Sequence, residues 1–142
     1  MKDYLAVELS DFALYPERKH PTDAGADLKS STDVELKPFT PTTISTGVKA
    51  ELPESTMGFI GGRSSLAAKG ITPLGGIIDA DYRGEIKVTL INLSNETYHI
   101  SELERIAQLI IIPIKVPEVV VVPEVETSTT RADKGYGSTG TH

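Results

Sequence analysis

Gly75 to Asn92 reads GGIIDADYRGEIKVTLIN, and the fold of the chain turns on this stretch. Its second half, Glu85-Ile86-Lys87-Val88-Thr89-Leu90, alternates polar and apolar residues strictly, the pattern of a half-buried strand. Gly76-Ile77-Ile78 reads as an incoming strand, which makes Asp79 to Gly84 the turn of a hairpin. That turn carries Asp79, Asp81, Tyr82 and Arg83. Asp and Gly favour turns for conformational reasons alone, so in isolation the tip is as readily a polar turn as a site.

Outward from the hairpin, short apolar runs recur between turn residues. Tyr4 to Leu9 places Leu5, Val7 and Leu9 on one face of a first strand, and Asp11 to Pro21 is a connector. Asp33 to Lys37, Thr42 to Leu52, Met57 to Ile60 and Tyr98 to Ile100 read as further strands, with Gly47 a bulge or bend in the second of these. Ile71 to Leu74 reads as a connector into the hairpin. Arg63-Ser64-Ser65-Leu66-Ala67-Ala68-Lys69 opens on two serines and ends at Gly70, which predicts one helix of about two turns, capped by serine. Arg105 to Pro113 and Val119 to Val122 are continuously apolar, which predicts burial on both faces, inside a sandwich or at a subunit interface. With twelve glycines and nine prolines between such runs, the expectation is one all-β domain over 1–125, with an arm of changed composition over 126–142.

Composition narrows the function. A net charge of −6 disfavours general nucleic-acid binding, which needs a positive footprint. A chain without cysteine has no disulfide and no thiolate metal site. No apolar run reaches the roughly 18 residues of a membrane span, and the start lacks the apolar stretch of a signal peptide. The expectation is therefore no membrane partner and a cytoplasmic location, the host's cytoplasm if the chain is phage- or virus-encoded.

Cationic and hydroxyl side chains are nevertheless concentrated locally. Arg63 precedes Ser64 and Ser65 at a helix start, where backbone N–H groups favour an anion and a guanidinium adds a two-pronged phosphate donor. Arg131 to Gly140, RADKGYGSTG, has the arginine, lysine, hydroxyls and glycine amides to wrap a polyphosphate, and Tyr136 to stack on a base. The bland alternative for this arm is a disordered tail.

Five segments in fixed order, Ala24-Gly25-Ala26-Asp27-Leu28, Gly62 to Ala67, the Gly75–Asn92 stretch, Arg105-Ile106-Ala107-Gln108-Leu109 and Arg131 to Gly140, closely resemble the trimeric deoxyuridine triphosphatases, or dUTPases. The resemblance runs from about Ala24 to Thr141. It implies a jelly-roll (β-clip) sandwich, a homotrimer with exchanged C-terminal arms, and three sites at subunit interfaces. It also implies hydrolysis of dUTP to dUMP and pyrophosphate, by magnesium-assisted attack of water on the α-phosphorus. On this reading Asp79 is the general base, with binding of the sugar 3′-hydroxyl as its alternative role, and Tyr82 packs against deoxyribose and excludes a ribose 2′-hydroxyl. Uracil pairs with main-chain groups around Gly76, Ile77 and Lys87. Arg63, Ser64, Ser65, Gln108 and Arg131 bind the triphosphate, with Tyr136, Gly137, Ser138 and Thr139 closing from the arm. Asp27 acts indirectly on Mg2+, through water, the ion being held mainly by phosphate oxygens. Tyr136 stands where the family usually has phenylalanine, and Pro73 where some members place asparagine near the base.

Two rivals carry discriminating residues. A dCTP deaminase, or a bifunctional deaminase-dUTPase, needs a proton shuttle at the base, for which Glu85 is the close candidate. A non-catalytic trimeric regulatory binder would keep the fold and lose turnover.

Overall fold

The computed structural model describes residues 4–136, and Gly137, Ser138 and Thr139 lie outside them. Ten strands run in chain order: β1 (Ala6–Leu9), β2 (Gly25–Lys29), β3 (Val34–Leu36), β4 (Thr42–Glu51), β5 (Thr56–Gly61), β6 (Ile71–Leu74), β7 (Ile77–Ile78), β8 (Glu85–Asn92), β9 (Tyr98–Ile100) and β10 (Arg105–Pro113). One short helix, α1 (Ser64–Ala67), lies between β5 and β6. A 3-10 turn at Phe12–Leu14 interrupts the first connector, and there the Asp11 carboxylate accepts from the amide of Ala13 at 2.9 Å.

The strands form two four-stranded antiparallel sheets, β1-β4-β8-β6 and β2-β10-β5-β7, with β3 and β9 as a separate pair. This is an all-β sandwich of the jelly-roll class. Its core is supplied by the inward faces of both sheets. The period-two pattern of β8 buries Ile86, Val88 and Leu90, while Leu28, Ile60 and Leu109 come from the opposing sheet. Each such side chain contributes about 1.5–3 kcal/mol through removal of apolar surface from water. Leu5, Val7 and Leu9 pack against this core, as the alternation of the first strand predicts. The register between β4 and β8 shifts between Ser45 and Val48, and Gly47 sits in that bulge with φ +68°.

Four expectations need correction. Ile71–Leu74 is not a connector but the edge strand β6, paired with Ile91 and Leu90 through Thr72 and Pro73. The proline is tolerated because an edge strand needs no donor on its outer side. β7 and β8 do not form a hairpin: β7 pairs with β5 in one sheet and β8 with β4 and β6 in the other. Helix α1 has four residues rather than two turns, because its end tightens into bonds from Lys69 N to Leu66 O and from Gly70 N to Ala67 O, both 2.9 Å. Arg63 is its N-cap and no side chain caps it, so the serines do not serve that role. Within the protomer Val119 to Val122 form no strand and are all exposed, as is Ile112 at the end of β10, which removes the sandwich-interior alternative for that run and leaves the subunit-interface one.

Candidate active site

The crossing from β6 to β7 opens a cleft. β6 follows the edge of β8 only as far as Leu74 opposite Thr89. The chain then leaves for the other sheet through Gly75 (φ +68°) and Gly76 (φ +103°). At Gly76 a side chain is excluded twice over: the φ lies where only glycine is comfortable, and a Cβ would meet the Ile60 carbonyl oxygen at 3.0 Å. The Gly76 carbonyl accepts from Ile60 N at 2.8 Å, which clamps the crossing to β5. From Glu85 to Val88 the β6 side of β8 therefore has no strand partner. The resulting cleft of about 430 Å³ is lined by Gly75 to Asp79 and by Tyr82, Glu85 and Lys87 among others. Strand-edge amides and carbonyls border this space, the arrangement in which main-chain groups can read a base edge.

The Asp79–Gly84 loop is braced from inside. Tyr82 N donates to Asp79 O at 3.1 Å, and Arg83 Nη1 donates to Ala80 O at 2.7 Å. The Tyr82 phenol donates to Glu85 O at 2.7 Å, and its ring lies where a Cβ on Gly84 would stand. The ring is thus fixed at the mouth of the cleft, with Asp79 exposed beside it. Glu85 lines the cleft, but its carboxylate accepts from Ser45 Oγ and from Gly47 N at 3.1 Å. It closes the β4 bulge, an engagement at odds with a proton shuttle aimed at a base. Pro73 packs on Gly62 and is absent from the cleft lining.

A second cluster forms on the other sheet. Asp27 of β2 lies opposite Gln108 of β10, which in turn lies opposite Gly61 of β5. The Asp27 carboxylate sits between two guanidiniums, Oδ1 3.9 Å from Arg63 Nε and Oδ2 3.7 Å from Arg105 Nε. Arg63 Nη1 also donates to Arg105 O at 3.2 Å. Gln108 lies over the bare Cα of Gly25 and donates to Gly62 O at 2.9 Å. The small residues of the Ala24–Leu28 segment therefore admit the Gln108 side chain. Ser64 and Ser65 stand exposed next to this cluster. Burial pushes the Tyr98 phenol above its ordinary range, helped by its hydrogen bond to Glu104 at 3.0 Å, while the charge of Arg63 works the other way.

None of Asp27, Arg63, Ser64, Ser65 and Gln108 lines the cleft that holds Asp79 and Tyr82. Arg131 is bonded within the arm, to Lys134 O, and Tyr136 is fully exposed. Among the described residues of one protomer, the cleft and the Arg63 cluster are thus separate. Sequence alone assigns Arg105 no role. Its signal was its place at the head of the same segment as Gln108, three residues away on a strand that loses its alternation.

The fold and these clusters define a β-sandwich with an open cleft beside a strand edge and, apart from it, two arginines around Asp27. Comparison with known proteins specifies it further. The dUTPase family matches residues 12–140. The deoxyuridine 5′-triphosphate nucleotidohydrolase of Rhodococcus erythropolis is 44% identical over 152 residues, spanning 100% of this chain and 90% of the relative. That of Paramecium bursaria Chlorella virus 1 is 43% identical, spanning 99% of each. Among solved structures, the Staphylococcus bacteriophage 80alpha dUTPase with dUPNHPP superposes with a TM-score of 0.89 at 33% identity, covering 98% of this chain and 99% of that one. The chain belongs to the dUTPase family.

Proposed function

We propose that the protein hydrolyses dUTP to dUMP and pyrophosphate at sites assembled between protomers of a homotrimer. The observation that carries this reading is the cleft opened by the Gly75–Gly76 crossing in a chain whose relatives are nucleotidohydrolases. Uracil enters between β7 and β8 and pairs with main-chain groups at Gly76, Ile77 and Lys87. A cytosine there would face groups of the wrong polarity and leave them unpaired, which is an effective discriminator. The Tyr82 ring, pinned by its phenol, packs on deoxyribose and leaves no room for a 2′-hydroxyl. Asp79, exposed at the cleft mouth, orients the attacking water and takes its proton.

A second protomer supplies the Arg63 cluster to the phosphates. Arg63, Ser64 and Ser65 donate to their oxygens, and Gln108 joins by exchanging its bond to Gly62 O. A third supplies the arm: Arg131 binds phosphate, Tyr136 stacks on uracil, and Gly137, Ser138 and Thr139 close around the triphosphate and exclude water. The exposed valines at 119–122 are covered when the arms are exchanged.

Among the described residues no three His, Cys, Asp or Glu side chains converge as a metal-ligand set. Asp27, already held by two arginines, suits contact through water rather than direct ligation. The donor chemistry fits a magnesium ion held mainly by the triphosphate, and a structure of a mutant dUTPase from phage phi11 of S. aureus is described with a structural Mg(II) ion. Bound there, Mg2+ supplies charge neutralisation of the phosphate oxygens.

The test is release of pyrophosphate and ammonia from dUTP, dCTP, dTTP and UTP with magnesium. Pyrophosphate from dUTP alone is expected. Ammonia from dCTP would assign the deaminase branch, and no release from any of the four would leave a binding protein.

A further inference from the structure

We propose that Arg105 is a positioning residue for polyphosphate binding, holding one oxygen of Asp27 so that Arg63 stays open to the substrate. The inference rests on the dUTP-hydrolysing reading above and adds a residue to that site.

The backbone shows why Arg105 reaches Asp27 at all. In a regular strand Arg105 would share a face with Ala107 and Leu109, both fully buried. The register between β10 and β2 slips between Arg105 and Ala107, and Ile106 and Ala107 are buried in succession. A bulge of this kind re-aims a side chain. Here it turns Arg105 onto the face of Gln108 and its cross-strand partner Asp27.

The geometry then divides one carboxylate between two guanidiniums. Neither contact, at 3.9 and 3.7 Å, is a close hydrogen bond, and each arginine faces a different oxygen. A carboxylate with a single arginine prefers the two-pronged pair in which both oxygens are taken by one guanidinium. Such a pair would present phosphate with a neutral, self-satisfied unit. With Arg105 on Oδ2, Arg63 is anchored, among the described residues, by Nε near Oδ1 and by one Nη1 bond to the carbonyl of Arg105. A guanidinium has five N–H donors, so the outer ones stay available, and two cations around one anion leave the cluster positive. Arg105 thus acts on Arg63 twice, through its carbonyl and through Asp27, without needing to touch substrate.

The test compares wild type, Arg105→Ala, Arg105→Lys and the double variant Arg105→Ala with Asp27→Asn. Calorimetry measures affinity for the non-hydrolysable dUPNHPP and for dUMP, in EDTA so that metal plays no part. For Arg105→Ala the expected result is roughly tenfold weaker binding of dUPNHPP, with dUMP affinity less affected. Arg105→Lys recovers part of the loss, and adding Asp27→Asn to Arg105→Ala restores affinity, because no carboxylate is left to capture Arg63. Unchanged affinity in Arg105→Ala overturns the proposal. So does a double variant weaker than Arg105→Ala, which is what a merely structural role predicts. A wild-type protein that binds neither nucleotide overturns the functional reading itself, and this inference with it.

Discussion

At the scale of single residues, the account rests on what each side chain is held by. Tyr82 is fixed by a phenol-to-carbonyl bond and by the bare Cα of Gly84, so its ring is in place before substrate arrives. Asp79 has the exposure a water-activating base needs. Asp79→Asn is predicted to lower kcat by about 10²- to 10⁴-fold, because geometry is retained and the proton acceptor is lost. Binding of dUPNHPP should persist; single-turnover kinetics and calorimetry check the two halves of that statement. Normal turnover by the variant would contradict the role. The candidate residues stand out in the sequence because their types carry chemistry: two serines after an arginine, or a carboxylate and a phenol in one turn. Arg105 and Glu85 were harder to read. The role proposed for Arg105 depends on a bulge, and Glu85 is engaged by Ser45 and Gly47, forty and thirty-eight residues away in sequence.

At the scale of elements, the decisive feature is the crossing at Gly75–Gly76. Gly76→Ala is predicted to cost about 1–3 kcal/mol through backbone strain, with the Ile60 carbonyl blocking relaxation. Gly75→Ala should cost less, since nothing lies within 4 Å of its Cβ position and its φ of +68° is near the left-handed region some residues tolerate. Urea denaturation of both variants, with dUMP binding alongside, checks the order; equal costs would argue against the clamp. The strict alternation of β8 made that strand legible, since period two fixes which face is buried. The partner of β7 was not legible. Ile77–Ile78 has no period to read, and its pairing with β5 depends on a fold-back through two glycines rather than on local sequence. Likewise β6 hides behind a proline that only its edge position permits.

At the scale of the whole molecule, the proposed function requires the cleft, the Arg63 cluster and the arm to come from different protomers. Beyond Ile114, whose amide donates to Ser55 O at 3.0 Å, the hydrogen bonds described for the arm are local to it, and Val119 to Val122 are uncovered. The continuous apolarity of that run calls for a covering surface, which the protomer itself does not supply. Deleting residues from Arg131 onward is predicted to cripple hydrolysis while leaving the thermal midpoint nearly unchanged, because none of the described ones, Arg131 to Tyr136, belongs to the core; a lost midpoint would make the arm structural. The central claim, a site built from separate protomers, is tested by mixing two inactive variants, Asp79→Asn and Arg63→Ala, and refolding them together. Random assortment into trimers pairs an intact Asp79 cleft with an intact Arg63 cluster at about a quarter of the sites. dUTP hydrolysis should therefore reappear at about that fraction of wild-type activity. No activity from demonstrably mixed trimers would mean that one protomer supplies both halves, and would contradict the account.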